Sequence, residues 1–144
     1  LKSITMLATY SFTIWGLWLI LMTVFIQSAV ASVAHRKQKH YVPGIVDAKL
    51  SHESFVFRSD RTFLNSHENL LMMFGPAVLG MLVGMDAYWL GLLVWVYAVA
   101  RLMHMVLYYV IATEKNPSPR SYFFIVGNLA TVVLLVQLAL HLGA

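Results

Sequence analysis

The chain alternates between long apolar runs and shorter polar segments. A helix needs about 20 mostly apolar residues to cross the hydrocarbon core of a bilayer. Four runs meet this requirement, and they extend from Ile4 to Ala34, from Leu64 to Met85, from Ala87 to Ala112 and from Ser121 to Leu140. Because the connections between them are short, the pattern predicts one all-α domain over residues 1–144, a bundle of four transmembrane helices.

The composition agrees with membrane insertion and excludes several kinds of site. Hydrophobic residues make up 60% of the chain and charged residues 11%, with a mean hydropathy of +0.73. Soluble domains are about one quarter charged. The chain has no cysteine, which excludes disulfides, a protein thiol nucleophile and thiolate metal sites. Its six histidines form no H-E-x-x-H pattern, so we expect no metal site.

The formal net charge of +4 is concentrated on one side of the predicted bundle. Loops 34–64 and 113–120 carry most of the basic residues, namely Arg36, Lys37, Lys39, Lys49, Arg58, Arg61, Lys115 and Arg120. Basic loops remain in the cytoplasm, so we expect both loops there and both termini on the opposite side. A basic cluster next to a membrane helix is typical of contact with lipid headgroups. We therefore expect membrane lipid, and no nucleic acid, as a partner.

A polar stripe interrupts the third apolar run. Arg101, His104 and Tyr108 fall within roughly 60° of one another on a helix that turns about 100° per residue. An ionisable residue inside a membrane helix is costly and normally faces protein or a wet cavity, so it indicates a functional site. Arg61, Asn65 and Glu68 form a second stripe of similar spacing at the start of the second run. The Glu68 carboxylate is a candidate partner for Arg101.

The start of the fourth run indicates an anion site. Ser118 can cap a helix, Pro119 suits its first position, and Arg120 and Ser121 then lie in the first turn. Free backbone N–H groups, a guanidinium and a hydroxyl would converge there, and such a place lowers the pKa of a thiol. The alternative interpretation is a plain capped helix whose arginine reaches lipid headgroups.

These motifs together resemble the MAPEG superfamily, the membrane-associated proteins in eicosanoid and glutathione metabolism. The segment Arg61-Thr-Phe-Leu-Asn65-Ser-His-Glu68 is similar to its second-helix motif R-x-x-x-N-x-x-E. The segment Arg101-Leu-Met-His104-Met-Val-Leu-Tyr108 is similar to its third-helix motif, closest to the prostaglandin E synthase and microsomal glutathione transferase branch. Arg120-Ser121 matches the same branch. The resemblance covers the second to fourth helices.

The resemblance implies a homotrimer that binds glutathione between subunits near the cytoplasmic face. By position, the residues that would hold the tripeptide are Arg61, Asn65, Glu68, His104 and Tyr108. Arg120 would stabilise the thiolate, with Ser121 as a hydrogen-bond donor, and Arg36 is a further candidate for glutathione binding. Arg101 matches a structural position that pairs with Glu68.

Two departures from that branch concern the same site. The stretch from Tyr108 to Arg120 is a few residues longer, with Glu114 and Lys115 inserted. Phe124 stands where the branch has a second tyrosine of the fourth helix, which leaves an apolar wall. An apolar acceptor is consistent with that wall.

The function implied by this resemblance is activation of glutathione as a thiolate. The thiolate would attack a lipophilic electrophile or a hydroperoxide dissolved in the membrane, by positioning and electrostatics and without a covalent enzyme intermediate. This is detoxification chemistry of a membrane glutathione transferase, with possible peroxidase activity. One alternative is a non-catalytic scaffold that binds lipid or glutathione. Another is a small channel subunit, although polar stripes confined to one leaflet form no continuous path.

Overall fold

The protein is a bundle of four helices in the computed structural model, which describes residues 2–144. The helices are α1 (Lys2–Arg36), α2 (Phe55–Leu82), α3 (Ala87–Val110) and α4 (Pro119–Gly143). Within this described range the only β-type pairing is an isolated bridge between Val42 and Ile45. The predicted all-α, four-helix architecture is confirmed.

Three of the helices are long and apolar enough to cross a membrane. These spans are Thr5–Arg36, Ala87–Val110 and Pro119–Gly143. Helix α2 falls outside this group because its first half carries charged residues, Glu68 among them, and only its second half is continuously apolar. Its length of 28 residues nevertheless corresponds to about 42 Å at 1.5 Å per residue.

Helix α2 begins earlier than the apolar pattern predicted. Residues 55–64 are helical, so the predicted loop 34–64 is reduced to the connection 37–54. Ser59 and Thr62 are fully buried, and their hydroxyls donate to the Val56 carbonyl at 3.1 Å and the Arg58 carbonyl at 2.7 Å. Buried hydroxyls that donate to carbonyls of their own helix have their hydrogen-bonding requirement met. This polar start of α2 can therefore be buried in the bundle as an apolar segment would be.

The centre of the bundle is formed by α2 and α3, each of which packs against the other and against both α1 and α4. Helices α1 and α4 do not pack against each other. At the core, Met73, Leu90, Val94 and Leu134 are fully buried. Helix α1 approaches α3 closely at Gly91, where an added Cβ would lie 2.4 Å from the Phe12 ring.

The short turn between α2 and α3, the first part of α1 and the end of α4 lie at one end of the bundle. In the short turn, Gly84 has a φ of +75°, a conformation that glycine adopts without strain. The Asp86 carboxylate accepts a hydrogen bond from the Trp89 backbone N–H and so caps α3. Near the C-terminus, the His141 ring lies 2.7 Å from the Val83 carbonyl. The two longer connections, 37–54 and 111–118, therefore meet at the opposite end.

Candidate functional site

A cavity of about 360 Å³ opens between α2, α3 and α4 at the end where the longer connections meet. Six predicted site residues line it, namely Arg61, Asn65, His104, Tyr108, Arg120 and Ser121. Phe124 and Ile125 complete the wall on the α4 side. The structure thus brings together two residues of each polar stripe and the first turn of α4, and it places the predicted apolar wall at Phe124 beside them.

Two of the predicted glutathione-binding residues lie outside this cavity within one chain. Glu68 is exposed on the surface of α2. Arg36 lines a separate cavity of about 410 Å³ between α1, the connection that follows it and the start of α2, where Asp60 is also found. Since α1 does not contact α4, Arg36 and Arg120 of the same chain belong to different faces of the bundle.

The Arg101 guanidinium is buried, with 4% of the residue exposed. One nitrogen donates to the Asn65 Oδ1 at 2.7 Å and to the Ser66 Oγ at 2.9 Å. The predicted ion pair between Arg101 and Glu68 is absent from the described part of the chain. The reason is helical geometry: Ser66 faces α3, and Glu68, two residues later, points about 200° away from it.

His104 is buried beside Arg101 on α3, with 3% of the residue exposed. Its ring meets the Tyr108 ring edge to face at 5.6 Å between centroids. The Nδ1 atom has no hydrogen-bond partner among the described residues. A buried polar atom without a partner is unfavourable, and since the residue lines the cavity, a bound polar ligand is one way to satisfy it.

The first turn of α4 is built as the sequence predicted. Ser118 is the N-cap and Pro119 the first helical residue. The Ser121 hydroxyl accepts a hydrogen bond from the Ser118 backbone N–H at 3.1 Å, and it lies 3.3 Å from the Ser118 hydroxyl, where either oxygen can be the donor. The Arg120 guanidinium lies over the Tyr108 ring, 4.0 Å from its centroid, which is a favourable cation–π geometry.

The structure adds two residues that sequence reasoning missed as site residues. His52, in the first connection, places its Nε2 3.0 Å from the Tyr108 hydroxyl and 3.3 Å from the Arg120 guanidinium. Its Nδ1 lies 2.7 Å from the Glu114 carboxylate in the second connection. No sequence spacing signals this meeting, since it joins two loops far apart in the chain. The one signal was the insertion that contains Glu114.

The Glu114 carboxylate is held by three donors at this junction. It accepts hydrogen bonds from the Ser51 hydroxyl, from the His52 ring and from the His52 backbone amide. These bonds, the Ser51 hydroxyl first, hold the pKa of the Glu114 carboxyl at about 2, well below its usual value. The carboxylate is therefore charged throughout the neutral range.

A sequence model of the MAPEG family matches residues 12–140. The chain belongs to the MAPEG family. No curated protein and no solved structure matches it. Membership in the MAPEG family, with three helices long and apolar enough to span a bilayer, indicates an integral membrane protein of glutathione-related or lipid metabolism. It also confirms the family resemblance that the motifs of the second, third and fourth helices predicted.

Proposed function

We propose that this MAPEG protein is a glutathione-dependent enzyme that activates glutathione as a thiolate. The thiolate is conjugated to lipophilic electrophiles or reduces lipophilic hydroperoxides. The observation that supports this most strongly is the single cavity shared by two residues of each polar stripe and the first turn of α4. The proposed function therefore depends on the residues that line this cavity as well as on membership in the family.

The cavity has the donors and positive charges that the carboxylates of glutathione require. The tripeptide carries two carboxylates and one ammonium, and guanidinium groups bind carboxylates with strong charge-assisted bonds. Arg61 and Arg120 supply these charges. The Asn65 side chain adds N–H donors, because Arg101 already occupies its oxygen.

The first turn of α4 is where we propose that the thiol of glutathione is activated. Arg120 lies in the first turn of α4, where the helix dipole is positive and favours an anion. A cation and a helix N-terminus together lower the pKa of a thiol and increase its thiolate fraction at neutral pH. The Ser121 hydroxyl also lines the cavity, and it can donate a hydrogen bond to the sulfur in place of its contact with the Ser118 hydroxyl.

In conjugation, the thiolate forms a carbon–sulfur bond with the electrophile while a leaving group departs or a double bond is saturated. In hydroperoxide reduction, the sulfur attacks the terminal oxygen and the O–O bond breaks, which releases the alcohol and leaves a glutathione sulfenic acid. A second glutathione thiol then attacks that sulfur, and the disulfide and water are formed. Phe124 and Ile125 provide the apolar side of the cavity. We propose that substrates dissolved in the membrane approach along this side.

We further propose a homotrimer with the site completed by a neighbouring subunit. Glu68 is exposed on a helix that inserts in a membrane, which is costly unless protein or water covers it. Arg36 lies on a face of α1 that no helix of the same chain brings to the cavity. A neighbouring subunit packed between α1 and α4 would cover Glu68. It would also bring its cavity next to Arg36, which could then bind glutathione there.

The cavity end of the bundle is proposed to face the cytoplasm. Both longer connections lie at that end, and they and the adjoining helix turns contain most of the basic residues. Basic connections are retained on the cytoplasmic side during insertion. Glutathione would then enter from the cytoplasm and the lipophilic substrate from the bilayer.

The proposal is tested with the purified protein in mild detergent. Calorimetry with glutathione measures binding, and turnover is followed with an aryl chloride and with a fatty-acid hydroperoxide. We expect saturable glutathione binding and conversion of at least one of the two substrates. Glutathione binding without turnover of either would instead support a non-catalytic scaffold, and no binding would contradict the proposed site.

A further inference from the structure

His52 lies at the rim of the cavity between a carboxylate and a phenol. Its Nδ1 is 2.7 Å from Glu114 and its Nε2 is 3.0 Å from the Tyr108 hydroxyl. The His52 and Tyr108 rings are stacked, with centroids 5.8 Å apart. The side chain of His52 remains about one fifth exposed, at 20%, so the ring contacts both solvent and the cavity wall.

The partners of the two ring nitrogens assign their protons. The Glu114 carboxylate is ionised and can only accept hydrogen bonds. The Nδ1 atom of His52, which faces this carboxylate, therefore carries the proton. The Arg120 guanidinium, 3.3 Å from Nε2, only donates, so Nε2 is the acceptor. These partners assign one tautomer, in which the lone pair of Nε2 faces both the Arg120 guanidinium and the Tyr108 hydroxyl.

We propose that Glu114, His52 and Tyr108 form a proton relay that removes the proton of the glutathione thiol. His52 is the terminal base, Glu114 is a positioning residue that orients it, and the Tyr108 hydroxyl connects it to the cavity. The arrangement follows the logic of a base held in one tautomer by a buttressing carboxylate. This inference rests on the proposed function and names the group that accepts the proton.

The relay moves one proton and leaves the sulfur with its electron pair. The thiol S–H bond breaks as its proton passes to the Tyr108 oxygen, while the original phenolic proton passes to Nε2 of His52. The net products are a thiolate beside Arg120 and an imidazolium beside Glu114. After the thiolate has displaced chloride from an aryl chloride, the imidazolium releases its proton to solvent.

The surroundings of His52 balance the charge that the relay creates. The Glu114 carboxylate, whose pKa of about 2 keeps it charged, offsets the imidazolium next to Arg120. Arg58 fixes the loop by donating to the His52 carbonyl at 2.8 Å and to the Tyr109 carbonyl at 3.2 Å. The base is thus held by the first connection, α2 and α3 together.

The test compares His52→Ala with the wild type in single-turnover reactions of glutathione with 1-chloro-2,4-dinitrobenzene. A general base typically contributes 10²- to 10⁴-fold to the rate, so we expect a loss of about 100-fold at neutral pH. Glutathione affinity by calorimetry should change little. Added imidazole should restore part of the rate, because it supplies the missing base at the opened position.

Three further variants distinguish a proton relay from a purely structural contact between the two connections. Glu114→Gln should lower the rate less than His52→Ala does, because it leaves the base but removes its buttressing charge. His40→Gln and Glu53→Gln change exposed residues of the same connection and serve as matched controls with unchanged rates. If His52 and Glu114 only hold the two connections together, imidazole should not rescue His52→Ala, and glutathione affinity and rate should fall in parallel.

The outcomes distinguish the relay from the function on which it rests. Wild-type rates in both His52→Ala and Glu114→Gln would overturn the relay and leave the glutathione enzyme intact. Loss of rate in His52→Ala without recovery in imidazole, together with a matching loss of glutathione affinity, would also overturn it. A wild-type protein that neither binds nor turns over glutathione would overturn the proposed function and the relay with it.

Discussion

Arg101 is buried between α2 and α3, and its guanidinium fixes the orientation of the Asn65 side chain. Because the Asn65 oxygen is occupied, only the N–H groups of that amide are available to the cavity. The same guanidinium engages Ser66 and leaves Glu68 on the outside of the helix. The predicted binding stripe is thus divided between a face that points into the chain and one that points out of it.

The Arg61→Ala variant tests the binding half of the site. Arg61 lines the cavity, and hydrogen bonds to charged groups contribute about 1.5 to 3 kcal/mol, so glutathione affinity should fall by that amount in calorimetry. Lys39→Ala removes an equal charge from an exposed position of the first connection and should bind like the wild type. Equal affinities for all three proteins would remove Arg61 from the site.

The junction of the two connections should be sensitive to acid through Glu114. Its pKa is lowered from 4.5 to about 2, so its contribution is complete above about pH 4.5 and is lost as the pH falls toward 2. The protection of the His52 amide, measured as its hydrogen-exchange rate relative to the intrinsic rate at the same pH, should therefore fall over this interval. Glu114→Gln should exchange faster at neutral pH and lose this acid dependence. Identical pH profiles for the two proteins would contradict the assignment.

At the scale of the helices, apolar periodicity predicted α1, α3 and α4 to within a few residues at each end. It missed the start of α2, because buried hydroxyls such as Ser59 and Thr62 count as polar in a sequence. The polar stripes correctly grouped Arg61 and Asn65 with His104 and Tyr108. The contribution of His52 could not be predicted, since it depends on how two loops meet in the folded chain.

The contact between α1 and α3 gives a prediction about stability. An added Cβ at Gly91 would lie 2.4 Å from the Phe12 ring, and overpacking of this kind costs about 1 to 3 kcal/mol. Gly91→Ala should lower the thermal unfolding temperature in detergent. Gly75→Ala is the control, because its Cβ meets only the Leu71 side chain at an ordinary 3.7 Å. A Gly91→Ala protein as stable as this control would contradict the close approach.

At the scale of the whole molecule, the exposed carboxylate of Glu68 and the isolated cavity at Arg36 are the features that one chain leaves incomplete. We expect a homotrimer in native mass spectrometry from mild detergent. The Arg36→Ala variant should remain trimeric and bind glutathione more weakly. A monomer that binds glutathione as tightly as an assembled form would contradict a site shared between subunits.

Ultraviolet difference absorbance measures directly whether the cavity holds glutathione as a thiolate. Adding glutathione to the detergent-solubilised protein should produce a thiolate band at neutral pH. The band should titrate with a thiol pKa below the ordinary value of about 8.5. Arg120→Ala should raise that pKa and reduce turnover far more than glutathione affinity, whereas Ser121→Ala, which removes a neutral donor, should have a milder effect. Saturable glutathione binding without a thiolate band would contradict thiolate formation in the cavity.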